Sequence, residues 1–79
     1  MADLYYHTTF TILLNNQADI IIKDNMTAEE RDNTTRKLME PDAVYYHGSR
    51  LEDVIYAIRT NNVIAVEVEY EAYDYADDF

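Results

Sequence analysis

The sequence predicts an α+β fold with the element order ββαβαβ, in which two helices pack on one face of a mostly antiparallel four-stranded sheet. Three observations predict it: period-two alternation near both ends of the chain, two capping-box patterns, and turn-forming residues between the segments. A chain of 79 residues has the length of one small domain. We therefore expect a single α+β domain over residues 1–73 and an acidic, aromatic C-terminal tail over residues 74–79.

The first two elements are predicted to be strands of a hairpin. Apolar side chains alternate over residues 4–14 and place these residues on one face: Leu4, Tyr6, Phe10, Ile12 and Leu14. Asn15 and Asn16 follow, and asparagine tolerates the positive φ that tight turns require. Residues 18–23 contain three consecutive isoleucines, which is typical of a strand covered on both faces.

A helix and a short strand are predicted next. Thr27 and Glu30 form a capping-box pattern that begins a helix, and Pro41 ends this helix by position 40. Few apolar residues lie at helical spacing in this segment, so we expect a mostly solvent-exposed helix. Residues 43–47 contain a valine and two tyrosines and form a short strand candidate.

A second helix is predicted after Gly48. Ser49 and Glu52 form another capping-box pattern. The apolar residues that follow match the spacing of one helix face: Leu51, Val54, Ile55 and Ile58. We expect this helix to end near Thr60, before two asparagines that can terminate it.

The last predicted strand, residues 63–73, begins the most acidic part of the chain. The chain has 16 Asp and Glu against 6 Lys and Arg, and residues 62–79 contain six of those acids and no base. Glu67, Glu69 and Glu71 fall on one strand face, ~6.6 to 6.8 Å apart. One DNA strand presents a phosphate for every ~3.4 Å of axial rise, so a rigid glutamate row could match alternate phosphates in a basic groove. The alternative is a solvated edge strand whose like charges prevent aggregation.

Aromatic residues accompany these acids. Three tyrosines, which suit a protein interface, lie among them: Tyr70, Tyr73 and Tyr75. The chain ends Asp77-Asp78-Phe79, where carboxylates flank a terminal ring that could enter an apolar pocket rimmed by Lys or Arg. This end resembles the acidic, Phe-ended tip of bacterial single-stranded-DNA-binding proteins over its last few residues, without a second apolar residue before the phenylalanine. A frayed polar tail is the alternative.

The composition argues against several classes of protein. There is no cysteine for a disulfide or a cysteine zinc site, no apolar run near the ~18 residues of a membrane span, and no signal-peptide pattern. Direct nucleic-acid binding needs clustered Lys and Arg, which are missing. His7 and His47 are expected at the surface or in turns, and no Gly-rich phosphate loop or nucleophile pattern is present. We therefore expect that the protein is not an enzyme and that it binds no metal and no cofactor.

These observations favour a small acidic inhibitor or interaction protein. In size, charge and β-rich acidic character it resembles the DNA-mimic inhibitors of phages and mobile elements, including anti-CRISPR and anti-restriction proteins. The resemblance implies a cytoplasmic protein that occludes the basic nucleic-acid groove of a partner enzyme, with no membrane contact. The alternatives are an assembly subunit that forms a homodimer or larger homo-oligomer, and an antitoxin-like inhibitor of a basic RNase. The candidate partner-binding residues are Glu67, Glu69, Glu71, Asp74, Asp77, Asp78, Tyr70, Tyr73, Tyr75 and Phe79.

Overall fold

Five strands and one α-helix form two antiparallel sheets in residues 4–72, the part of the chain that the computed structural model describes. In chain order the elements are β1 (Tyr5–Leu14), β2 (Ile20–Thr27), α1 (Ala28–Leu38), β3 (Val44–Gly48), β4 (Ile55–Arg59) and β5 (Val63–Ala72). A single 3-10 turn, Thr60–Asn62, joins β4 to β5. The larger sheet has the order β2-β1-β5, and β3 and β4 form a separate two-stranded sheet.

The predicted fold class is therefore wrong: residues 4–72 are mostly β, with one helix in place of two and sheets of three and two strands in place of one of four. The error lies in the predicted second helix. The Ser49 hydroxyl accepts hydrogen bonds from the backbone N–H groups of Leu51 and Glu52, as it would in a helix cap, but the chain turns there. Asp53 then takes a positive φ of 50°, and β4 begins two residues later.

Burial explains why the helical spacing was misleading. Of the four apolar residues that match one helix face, only Ile58 is buried, while Leu51, Val54 and Ile55 are exposed. The stripe therefore does not face a core. The segment Ile55–Arg59 is rich in β-branched and aromatic residues, and it pairs with β3 over its whole length.

The first hairpin is confirmed, with one correction. β1 pairs with β2, and Asn16 in the connecting turn has a φ of 58°. The three isoleucines of β2 are not covered on both faces, because Ile22 is fully buried whereas Ile21 is 51% exposed. The larger sheet is thus covered on one face only, and its other face is open.

The core lies between the covered face of the larger sheet and two elements packed on it. Phe10, Ile12 and Ile22 come from the sheet, Leu38 comes from α1, and Ile58 comes from β4. Their burial is the main source of stability in so short a chain, at about 1.5 to 3 kcal/mol for each large apolar side chain.

The predicted first helix is confirmed. The Thr27 hydroxyl accepts a hydrogen bond from the Glu30 N–H, and the Glu30 carboxylate accepts one from the Thr27 N–H, so both halves of the capping box form. The Thr27 N–H and the Arg50 guanidinium both stabilise the ionised carboxylate, and they hold the pKa of Glu30 below its ordinary value despite some desolvation. Only Thr34 and Leu38 of this helix are buried, as expected for a mostly solvated helix.

Candidate functional site

The glutamate row lies on the open face of the larger sheet. Glu67, Glu69 and Glu71 are all exposed residues of β5. Their partners on β1 are Thr11, Thr9 and His7 respectively. Neither β1 nor β5 contains a Lys or Arg, and His7 is the one residue with a basic side chain in this pair of strands as the structure describes them. The three carboxylates therefore project from a regular strand toward solvent.

Tyr70 lies on the opposite face of β5 from this row. The Arg31 guanidinium of α1 stacks over the Tyr70 ring, with its central carbon 3.9 Å from the ring centroid. The ring of Tyr6 packs edge-on against Tyr70, with 5.7 Å between the centroids. Tyr70 thus fastens the helix to the sheet, although 55% of the residue stays exposed. The structure does not bring it together with the glutamates.

The other predicted partner-binding residues lie outside residues 4–72, and the structure describes nothing of them. They are Tyr73, Asp74, Tyr75, Asp77, Asp78 and Phe79. The described part of the candidate site is therefore the glutamate row and the strand that carries it.

One edge of the larger sheet is covered by the segment after β3. The far edge of β2 receives hydrogen bonds from the Ser49 hydroxyl to the Lys23 carbonyl (2.9 Å) and from the Arg50 guanidinium to the Asn25 carbonyl (3.1 Å). The Glu52 carboxylate accepts a hydrogen bond from the Lys23 N–H (3.3 Å). We call this side of β2 the covered edge, because its backbone groups have side-chain partners.

The far side of β5 has no such cover. β5 is the last strand in the sheet order and pairs with β1 alone. On its other side, its backbone accepts no hydrogen bond from a strand or side chain of residues 4–72 and donates none to them. We call this side of β5 the open edge. A strand edge whose outward N–H and C=O groups have no partner among the described residues is a template on which another extended chain can pair. The glutamate row therefore borders backbone groups that no residue from 4 to 72 pairs with on that side.

A buried polar chain holds the smaller sheet on the larger one, and no sequence signal indicated it. The Asp24 carboxylate accepts a hydrogen bond from Nε2 of His47 (2.9 Å), and both residues are buried. Nδ1 of His47 lies 2.6 Å from the Tyr45 hydroxyl, which lies 3.4 Å from the Thr34 hydroxyl of α1. The prediction that His47 lies at the surface or in a turn is wrong, since it sits inside β3 and faces the larger sheet.

This series of hydrogen-bonded side chains holds the smaller sheet against the larger one. Asp24 also accepts hydrogen bonds from the backbone N–H groups of Asn25 and Arg50, so its carboxylate is engaged on all sides. Burial, with a smaller contribution from the Asp24 charge, raises the pKa of the Tyr45 hydroxyl, which makes it a weak nucleophile. Within residues 4–72 no group of three or more His, Cys, Asp or Glu is placed to hold a metal ion.

The outward face of the smaller sheet is mostly apolar, with the exposed Arg59 opposite Val44 at one end. Tyr46 is 69% exposed and Ile55 is 76% exposed, and Val44 shares their face. Leu51 and Val54, in the connection between β3 and β4, are also exposed. Exposed apolar groups of this density on a small protein are typical of a contact surface.

Comparison with known proteins identifies no relative: no family model, no curated protein and no solved structure matches this chain. None of the helices in the part of the chain that the structure describes has the length and apolar character needed to cross a membrane.

Proposed function

We propose that this protein is a small acidic inhibitor that binds the nucleic-acid groove of a basic target protein in the cytoplasm and excludes the natural ligand. The observation that carries the proposal is the glutamate row, three exposed carboxylates at alternate positions of one regular strand. Inhibition by occlusion needs no catalytic group. An antitoxin that blocks a basic RNase would use the same surface in the same way.

The surroundings of the row support this proposal. Side chains two apart on a strand repeat every ~6.6 to 6.8 Å, which is near the axial rise between alternate phosphates of one DNA strand. On β1, uncharged Thr11 and Thr9 lie opposite Glu67 and Glu69, and His7 lies opposite Glu71. Lys23 lies one strand further away, on β2 opposite Thr9. The formal net charge of -10 would accelerate association with a basic groove and make it sensitive to salt.

The test is capture from host lysate at low salt, followed by elution in a salt gradient. We expect a nucleic-acid-binding protein to elute, and duplex DNA or RNA to compete with this protein for it. Replacing Glu67, Glu69 and Glu71 together by Lys should weaken that interaction by about tenfold or more, since three ion pairs become repulsions. Calorimetry or fluorescence titration against the purified target measures the change.

The matched control changes three exposed acids away from the row. The variant with Asp19, Glu29 and Glu40 replaced by Lys shifts the formal net charge by the same amount. We expect it to bind far more tightly than the glutamate-row variant, because position as well as total charge determines the contact. Equal losses in the two variants would contradict a specific acidic surface, and unchanged binding in both would contradict the electrostatic mechanism.

A second candidate function is assembly into a homo-oligomer. The apolar outward face of the smaller sheet, with Tyr46 and Ile55, favours it. Light scattering over a concentration series separates the two functions, because an apolar oligomer persists at high salt whereas a complex formed by the glutamate row dissociates.

A further inference from the structure

We propose that the open edge of β5 binds an extended basic segment of the partner as an added antiparallel strand, with alternate Lys or Arg side chains facing the glutamate row. This inference rests on the proposed function and specifies how the partner is recognised. Backbone hydrogen bonds would supply the register, and the carboxylates would select the partner.

The covered edge shows which backbone groups of β5 are available. In β2, the backbone groups of Lys23 and Asn25 bond to side chains beyond the sheet, so odd-numbered residues of β2 point away from β1. Hydrogen-bonded and non-hydrogen-bonded pairs alternate in antiparallel ladders. The odd-numbered residues of β1 therefore bond to β5, through their partners 65, 67, 69 and 71.

It follows that the N–H and C=O groups of three alternate residues point out of the open edge: Val66, Val68 and Tyr70. Their side chains point to the covered face, while the glutamate side chains point to the open face. In a strand added here, the residues opposite the glutamates occupy non-hydrogen-bonded positions, where Cα atoms approach to about 4.5 Å and side chains are closest. Lys or Arg at those positions would lie within ion-pairing distance of the carboxylates.

A second copy of this chain is a poor occupant of the same edge. Two β5 strands related by a twofold axis normal to the sheet keep their glutamates on the same face. Centring the pair on Glu69 sets Glu67 against Glu71, and centring it on Glu67 sets that residue against its own copy. Like charges directly opposite destabilise a strand pair. The glutamates thus disfavour the registers centred on Glu67 or Glu69, whereas a register centred on Val66 avoids like charges but pairs residues 63–69 alone. A basic strand can pair along the whole row, so the edge favours a strand of opposite charge.

The experiment uses the full chain, labelled with 15N, and a nine-residue peptide of alternating Lys and Val with blocked ends. Amide hydrogen exchange is followed by NMR at low salt. At a peptide concentration about 100 times Kd, exchange at Val66, Val68 and Tyr70 should slow by about 100-fold. The amides of Glu67 and Glu69 already bond to β1 and should change little, which gives an internal control along one strand.

A second peptide of the same sequence carries N-methyl groups on alternate residues, so that one edge loses its N–H donors while every charge is kept. We expect its affinity to fall at least tenfold. Equal affinity of the two peptides, or shift changes at the glutamates without slower exchange at the three outward amides, would overturn strand addition. The charge-based function would then still stand on its own lysate test. Slower exchange at those amides on raising the protein concentration without peptide would also overturn the proposal, in favour of self-pairing.

Discussion

The two edges of the larger sheet differ in how their backbone groups are satisfied. At the covered edge, side chains from the segment after β3 bond to successive groups of β2, and a hydroxyl, a guanidinium and a carboxylate all contribute. At the open edge, the outward backbone groups of Val66, Val68 and Tyr70 in β5 have no hydrogen-bond partner among residues 4–72. One sheet thus has an edge protected by hydrogen bonds and another protected only by charge.

This difference teaches what each form of protection permits. An edge whose groups are all bonded cannot pair with any other chain unless the bonds break. An edge bordered by carboxylates disfavours acidic strands and the self-pairing registers that set glutamates opposite one another, yet it stays available to a basic strand. Polar side chains bond to the outer edge of β2, whereas the outer edge of β5 stays accessible among the described residues. The proposed interaction depends on that asymmetry.

The largest expected effect on the free energy of unfolding comes from Asp24→Ala, which removes the hydrogen bonds that hold His47 and Arg50 near the covered edge. Its carboxylate serves His47 and the backbone N–H groups of Asn25 and Arg50, and its removal leaves those buried or half-buried donors without an acceptor. We expect a loss of about 3 kcal/mol in the free energy of unfolding, measured by urea denaturation. Exchange of the Lys23 amide should accelerate toward the rates of the outward amides of β5.

Asp24→Asn is the control for this prediction. The amide oxygen can still accept from the two backbone donors, and the amide nitrogen can donate to the other tautomer of His47. We expect a loss of about 1 kcal/mol and a protected Lys23 amide. If Asp24→Asn were as damaging as Asp24→Ala, the charge rather than the hydrogen bonds would hold the two sheets together.

A smaller effect is expected from Ser49→Ala. The variant loses the hydrogen bond to the Lys23 carbonyl and the acceptor for two N–H groups of the turn, at a cost of about 1 to 2 kcal/mol. Thr60→Ala is the control, because the Thr60 hydroxyl likewise bonds to the backbone, donating one hydrogen bond to Ala43 and accepting one from it at the other end of the smaller sheet. Only Ser49→Ala should increase exchange at the covered edge, and a similar increase in both variants would mean that global unfolding controls it.

How much of this asymmetry is predictable from sequence differs between the two edges. Alternation of apolar residues with glutamates predicted β5 and the face of its carboxylates, because a strand places alternate side chains on opposite faces. The covered edge was not predictable in this way. Its bonds join Lys23 to Ser49 and Asp24 to His47, residues more than twenty positions apart whose meeting depends on how the smaller sheet docks.

The mistaken second helix has the same physical origin. Ser49 and Glu52 match a capping box, but a hydroxyl that accepts two backbone N–H bonds suits a turn as well as a helix. The choice was decided by tertiary contacts: Ser49 also donates to β2, and Ile58 enters the core from a strand. A local pattern shared by two structures cannot select between them, and packing against the larger sheet selected the strand.

The smallest effect concerns Glu30, which links the helix cap to the covered edge. Its carboxylate accepts hydrogen bonds from the Thr27 N–H and from Arg50 (2.6 Å), and Arg50 in turn donates to the Asn25 carbonyl of β2. These contacts lower the pKa of Glu30 in the folded state. A lowered pKa gives a stabilisation that is complete above the ordinary range of a glutamate, near pH 4.3, and is lost as pH falls through the folded-state value.

Glu30→Gln provides the comparison, since it keeps an acceptor for the cap and removes the charge. The difference in free energy of unfolding between the native chain and this variant should be constant above about pH 5 and should shrink as the pH falls below about 4. Urea denaturation over this range measures it. Because Glu30 is partly exposed and bonded to a side chain at the surface, the difference should also decline with salt. A difference that grew on acidification would mean that the Glu30 contacts favour the protonated carboxyl, and the ion pair could not then help to hold Arg50 against the covered edge.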